Sequence, residues 1–215
     1  IFMNNQIWAI EPLFSDKDGV IFKLDGLNGD IIAFERCRNT TKKGGGRPTQ
    51  LCHTFENVDH VTVVVRNFRF GQFAIKTTHG GTWFFDDSAA RPITISKGEK
   101  AWFRQFNPEH WAFDIMTVDG GQMWMLGFKT EGRTNHITVK NGGKAELIGG
   151  VAYQSWGAPK NGDDIDPPMF RVIDSDASFT YSFYHHRRPF TTIVEETQNG
   201  VTKMLKRKEL EEYEI

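Results

Sequence analysis

Cysteine is scarce, with only Cys37 and Cys52 among 215 residues. No CxxC is present, which removes a zinc knuckle and a thioredoxin-type redox site. The two thiols either stay free or bridge the intervening loop in an oxidising compartment. No apolar run approaches the roughly 18 residues that a membrane-crossing helix needs. Neither sign of charge is in excess, with 26 basic against 27 acidic residues. The clustered basic footprint of a nucleic-acid binder is therefore missing. Residues Ile1 to Asn5 lack the charged start and the long apolar stretch of a signal peptide. A chain that begins at Ile reads as a processed product, or as the C-terminal part of a longer chain.

Aromatic residues and glycine are plentiful, at 18 Phe, 6 Trp and 21 Gly. The length suits a single all-β domain over 1–215. A compact chain of this size buries roughly 70% of its unfolded surface. Internal repeats come first in such a reading, because missing them misassigns the fold. They stand in FAIKTTHGGTWFF (73–85), ITISKGEKAWF (93–103), FDIMTVDGGQMWM (113–125), HITVKNGGKAEL (136–147), MFRVIDSDASFTY (169–181) and TTIVEETQNGVTKML (191–205). Each is a short alternating strand, a tight polar turn and a second short strand. Gly80-Gly81, Gly98, Gly120-Gly121, Gly142-Gly143 and Asn199-Gly200 supply the turn conformations that other residues resist.

The spacing of these units predicts the architecture. The second strands place Trp83, Trp102, Trp124 and Glu146 in one column, at steps of 19, 22 and 22. The first strands give Phe73, Ile93, Phe113 and His136, at steps of 20, 20 and 23. A longer step of 33 to Met169 absorbs the loop-forming insertion WGAPKNGDDIDPP (156–168), and the step to Thr191 returns to 22. A period near 22 with short strands and no helical periodicity predicts a parallel β-helix, a solenoid whose coils bury their apolar faces by stacking. A propeller blade needs about 40 residues per repeat, and leucine-rich repeats need a leucine pattern that is absent. A jelly roll is the structural rival, but it predicts no in-register Trp column. The N-terminal part is less regular. VIFKLDGLNGDIIAFERC (20–37) reads as a coil, TTKKGGGRPTQ (40–50) as a basic excursion and FENVDHVTVVVRNFRFGQ (55–72) as resumed strands. The tail 206–215 is a charged run with the option of a short helix.

VDGGQMWMLGFKTEG (118–132) followed by HITVKNGGKAELIGG (136–150) resembles the terminal coils of bacterial secreted proteins of the pectate-lyase-like superfamily, including β-helical glucanases. The resemblance covers about residues 55–205. It implies a right-handed parallel β-helix, a secreted or cell-surface location and polysaccharide as partner. The same superfamily holds non-enzymatic surface and phage proteins. No match appears to the calcium-binding aspartate cluster and basic catalytic residue of the lyases, so no catalytic residue is carried over.

Candidate chemistry follows from position. Rings of Trp83, Trp102 and Trp124 on successive coils would lie about 4.8 Å apart. Facing outward, they would offer surfaces for sugar rings; otherwise they form a structural aromatic ladder. Glu109 and Glu131 each lie seven positions after a column Trp. On adjacent coils they would supply the acid and the nucleophile or base of a glycosidase, with Asp114 and Asp119 close in sequence. As ordinary loop carboxylates they would be solvated. His185, His186, Arg187 and Arg188 form a cationic cluster that suits an acidic saccharide or an exposed turn, and adjacent strand residues point to opposite faces. Calcium is the one cofactor the composition admits, through Asp86-Asp87 or Asp163-Asp164-Asp166. Glu56-Asn57-Val58-Asp59-His60 has metal-capable side chains without a recognised spacing, and Asn39-Thr40-Thr41 is a glycosylation sequon.

Two function classes result. One is a secreted carbohydrate-interacting β-helix, with polysaccharide hydrolysis as its enzymatic form. The other is a non-catalytic structural or adhesive surface module, able to associate through solenoid ends or faces. Fold alone does not choose between them.

Overall fold

Alternating strands with one apolar face must bury that face, and here each coil buries it against the next. The computed structural model describes residues 2–3, 6–10, 13–14, 21–24, 31–36, 38–39, 52–57, 61–77, 80–90, 93–108, 114–132, 134–153, 166–184 and 190–211. The described strands in the N-terminal part are β1 (Phe2–Met3), β2 (Gln6–Ile10), β3 (Leu13–Phe14), β4 (Ile21–Leu24), β5 (Ile31–Glu35), β6 (Arg38–Asn39), β7 (Cys52–Asn57), β8 (Thr62–Arg66) and β9 (Arg69–Thr77). The regular coils follow as β10 (Thr82–Ala90), β11 (Ile93–Ser96), β12 (Lys100–Pro108), β13 (Met116–Asp119), β14 (Gln122–Glu131), β15 (Ile137–Lys140), β16 (Lys144–Tyr153), β17 (Phe170–Ile173), β18 (Asp176–Tyr184), β19 (Thr192–Gln198) and β20 (Val201–Lys206). A short helix, α1 (Arg207–Glu211), comes after them.

The parallel β-solenoid expected from the spacing is what the chain forms. One sheet runs β1-β2-β5-β8-β10-β12-β14-β16-β18, and the other runs β11-β13-β15-β17-β19-β20. Neighbours are parallel throughout the coil region, from β2 to β19. The antiparallel strand β20 folds back on β19 and ends the parallel stack. Leu210 of α1 packs against the core at that end.

The strands β10, β12, β14 and β16 are bent, and the bends align with Asn67 between β8 and β9. Asn67, Asp87, Gln105, Gly127 and Gly149 take φ values of 52°, 44°, 51°, 81° and 69° at equivalent places. A left-handed residue turns the chain within the strand, with a register shift against β18 between Ile148 and Val151, so one long strand serves two sides of the coil. Beyond the bend, Ser88, Phe106 and Phe128 return to the interior. The turns joining the two sheets stack tightly. A Cβ added to Gly80, at φ +90°, would lie 2.5 Å from the Gly98 carbonyl oxygen.

The interior is filled by stacked columns. One contains Val63, Trp83, Ala101, Met123 and Ala145, all buried. The next contains Phe34, Val65, Phe85, Phe103, Met125 and Leu147. Within it the Phe85 and Phe103 rings stack at 4.8 Å.

Two expected registers need correction. Trp83 does not share a column with Trp102. The position facing Trp102 on β10 is Phe84, so the steps are 18, 22 and 22 (102 − 84, 124 − 102, 146 − 124). The short step comes from the first half of the coil: β11 follows β10 after two residues, whereas seven separate β13 from β12 and five separate β15 from β14. The expected column Ile93, Phe113, His136, Met169, Thr191 is instead Ile93, Met116, Ile137, Phe170, Val194.

Candidate functional site

Residues of β10, β12, β14, β16 and β18 that alternate with the buried ones form a flat outer face of three parallel columns. The central column is Val64, Phe84, Trp102, Trp124, Glu146 and Ser178. Phe84 and Trp102 stack at 4.9 Å and 15°, and Trp102 and Trp124 at 4.8 Å and 11°. These separations equal the spacing of strands in a sheet, so the register itself sets the stack. Of the three tryptophans expected to form the ladder, Trp102 and Trp124 do so, half-buried on the outer face.

Trp83 is fully buried and faces the interior. Its Nε1 donates to Glu99 Oε1 at 3.1 Å, and Glu99 Oε2 accepts the Ser96 amide. Trp83 thus offers no ring to a ligand and instead holds the turn between β11 and β12. Phe84 takes the place on the outer face that the even spacing gave to Trp83.

The flanking columns are polar. On one side lie Thr82, Lys100, Gln122, Lys144 and Asp176. Lys144 approaches Asp176 at 3.4 Å, with both side chains largely exposed. On the other side lie Glu35, Arg66, Asp86, Arg104, Leu126, Ile148 and Thr180. Its first four members alternate in sign. Arg66 bonds Glu35 at 3.2 Å, and Arg104 grips Asp86 through Nε at 2.7 Å and Nη2 at 2.6 Å. The hydrogen bond from Arg104 holds the Asp86 carboxyl below its ordinary value and raises the guanidinium above its own. Leu126 and Ile148 continue this column as apolar side chains, 57% and 49% exposed.

The ladder ends abruptly. After Trp124 the next position is Glu146, which is exposed and has no ion-pair partner among the described residues. The rings in the stack cover one another's faces, so Trp102 presents only its edge to solvent. At the Glu146 end no ring follows Trp124, and this is where the ladder meets hydrogen-bonding groups.

The remaining candidates scatter. Glu131 lies beyond the bend of β14 and pairs with Lys129 on its own strand. Glu109, His185, His186, Arg187 and Arg188 lie outside the described residues, as do Cys37, Asp163 and Asp164. Asp114 comes within 3.1 Å of Thr138 Oγ1, which also lies 2.9 Å from Asn135 Oδ1. Asp119 accepts from Asn141 at 2.6 Å and pairs with Lys140 at 3.2 Å. The Asn141 bond chiefly lowers its carboxyl. Asp114 and Asp119 thus hold neighbouring coils together on the second sheet. Among the described residues, no three His, Cys, Asp or Glu side chains converge as metal ligands. Asp86 has both oxygens committed to Arg104, which does not suit a calcium ligand.

His136 was expected only as a column member. It is fully buried, with Phe128, Phe170 and Phe190 around it at 6.2, 6.5 and 5.2 Å. Neither ring nitrogen has a hydrogen-bond partner. Burial alone pushes its pKa down to about 3. Nothing in the sequence signals this cage, because its members come from stretches far apart in the chain, Phe128 in β14, Phe170 in β17, and His136 and Phe190 just before β15 and β19.

No helix among the described residues is long and apolar enough to cross a membrane. Comparison with protein-family models, curated proteins and solved structures finds no match for the chain.

Proposed function

We propose that the chain is a carbohydrate-interacting β-solenoid that binds glycan on its outer aromatic face, at the Trp124–Glu146 end of the ladder. The observation that carries this reading is the abrupt change from stacked indoles to an exposed carboxylate, flanked by Gln122 and Lys144. A sugar has an apolar C–H face and a polar rim. A terminal aromatic surface beside carboxylate, amide and ammonium groups complements both parts. The coils repeat along one axis, so an extended chain lying along it meets similar rows of groups. Membership of the pectate-lyase-like superfamily and an extracellular setting belong to the same proposal, as does polysaccharide hydrolysis through Glu109 and Glu131. Binding is favoured over hydrolysis because Glu131 is already paired with Lys129.

The test is tryptophan fluorescence during titration with a panel of soluble neutral and acidic oligosaccharides. A saturable change is expected with at least one sugar, and Trp124→Ala or Glu146→Gln should weaken it at least tenfold. Binding that both variants leave intact would move the site elsewhere. Reducing-end release from the same panel, with Glu131→Gln as control, tests the enzymatic form. A second reading, a structural or adhesive module, is favoured by the apolar side chains of Leu126, Ile148 and Val151, 57%, 49% and 44% exposed.

A further inference from the structure

Large aliphatic side chains standing in water on a flat sheet suit a protein contact, since the same face has polar alternatives at every other coil. Leu126 and Ile148 are adjacent in one column of the outer face, with Gly127 and Gly149 next to them at the bend. No bulky side chain follows either at the corner, so a flat partner can approach. Among the described residues Lys100 and Glu146 have no ion-pair partner, and Lys144 and Asp176 form only a loose, exposed pair at 3.4 Å.

These features complement themselves under one symmetry operation. We infer that the outer face self-associates, two copies packing antiparallel about a two-fold axis that lies in the face, parallel to the strands and midway between β14 and β16. This operation keeps each column opposite itself and reverses the order of the coils. Leu126 then meets Ile148 of the second copy, and Ile148 meets its Leu126, so four aliphatic side chains form the centre. Lys100 meets Asp176 of the second copy on both sides of the axis. Lys144 of the second copy comes one diagonal step from Glu146, an otherwise unpaired carboxylate. An isologous interface needs this self-complementarity.

Other arrangements fit less well. An axis along the solenoid would set Lys100 against Arg104 of the second copy. Moving the in-plane axis one coil, to between β12 and β14, would set Ile148 against the Arg104–Asp86 ion pair. Under this operation four coils overlap, β12 to β18, about 17 Å along the strands and about 19 Å across, or about 330 Å² in plan. That is about two fifths of the standard area per partner, so a weak dimer is expected, dissociating in the micromolar range or above. The inference does not rest on the glycan reading, since it draws on Leu126, Ile148 and the rim charges. A glycan on Trp124 and a second copy would exclude each other.

Sedimentation velocity over a concentration series from about 1 μM to about 1 mM tests it. A mass rising toward the dimer is expected for the unaltered chain. Ile148→Lys or Leu126→Lys, both at exposed positions, should leave a folded monomer throughout. Lys100→Asp and Asp176→Lys should each weaken association at least tenfold, and the double variant should restore it. A monomer at every concentration overturns the proposal, and so does a dimer that survives Ile148→Lys. Failure of the double variant to restore association overturns the antiparallel register.

Discussion

Acid should weaken this fold through the buried His136. His136 sits in a cage of phenylalanines with neither nitrogen hydrogen-bonded, and burial holds its pKa near 3 against an ordinary value of 6.5. The folded chain therefore keeps the ring neutral, while the unfolded chain takes up a proton below pH 6.5. Stability from this group is complete above 6.5 and is lost as pH falls toward the folded value. Each pH unit in that window is worth about 1.4 kcal/mol. Between pH 7 and pH 5 the loss is about 2 kcal/mol, and the full window gives an upper bound of about 5 kcal/mol. Domains are stable by only about 5–15 kcal/mol, so the effect is large enough to measure. Burial is the cause of the shift. The assay is urea unfolding of the chain and of His136→Leu at several pH values from 5 to 8, followed by tryptophan fluorescence. The other histidines are common to both proteins, so the difference between the two pH slopes isolates His136. His136→Leu should match or exceed the native chain at pH 7 and should gain about 2 kcal/mol on it by pH 5. Parallel slopes for the two proteins would refute the reasoning.

Four further outcomes follow from the geometry of the coils. Trp102 has an aromatic neighbour on each side and Trp124 has one. Trp102→Ala should therefore cost more stability than Trp124→Ala, by about 1 kcal/mol, in urea unfolding. Trp83→Phe removes the donor to the buried Glu99 and should lower stability by about 1–3 kcal/mol, seen as a lower melting temperature by circular dichroism. Gly80→Ala puts a Cβ 2.5 Å from a backbone oxygen at φ +90° and should cost more than about 1 kcal/mol. Gln105→Gly relieves a non-glycine residue at φ 51° and should raise stability by about 1 kcal/mol, both read from thermal melts.

The ladder was legible where the repeat is regular. Trp102, Trp124 and Glu146 are two equal steps of 22 apart, and the structure keeps them in one column. Trp83 was misplaced because side chains in a strand alternate with period two. A slip of one residue therefore moves a side chain from the outside to the inside. A coil of 18 residues looks much like one of 19 in a list of spacings, yet only one of them buries the indole. What separates them is the two-residue link between β10 and β11, and the Trp83–Glu99 hydrogen bond holds the buried indole.

Alternation and turn residues are local, so the sequence alone determined that the chain forms short strands, that they repeat near every 22 residues and that they stack as a parallel solenoid. Register between coils, the bends at Asp87 and Gln105, and the cage around His136 join residues far apart in the chain. The cage draws on Phe128, His136, Phe170 and Phe190, which share no spacing. Those features were decided only by the tertiary structure, because packing between coils chooses among registers that local preference leaves nearly equal.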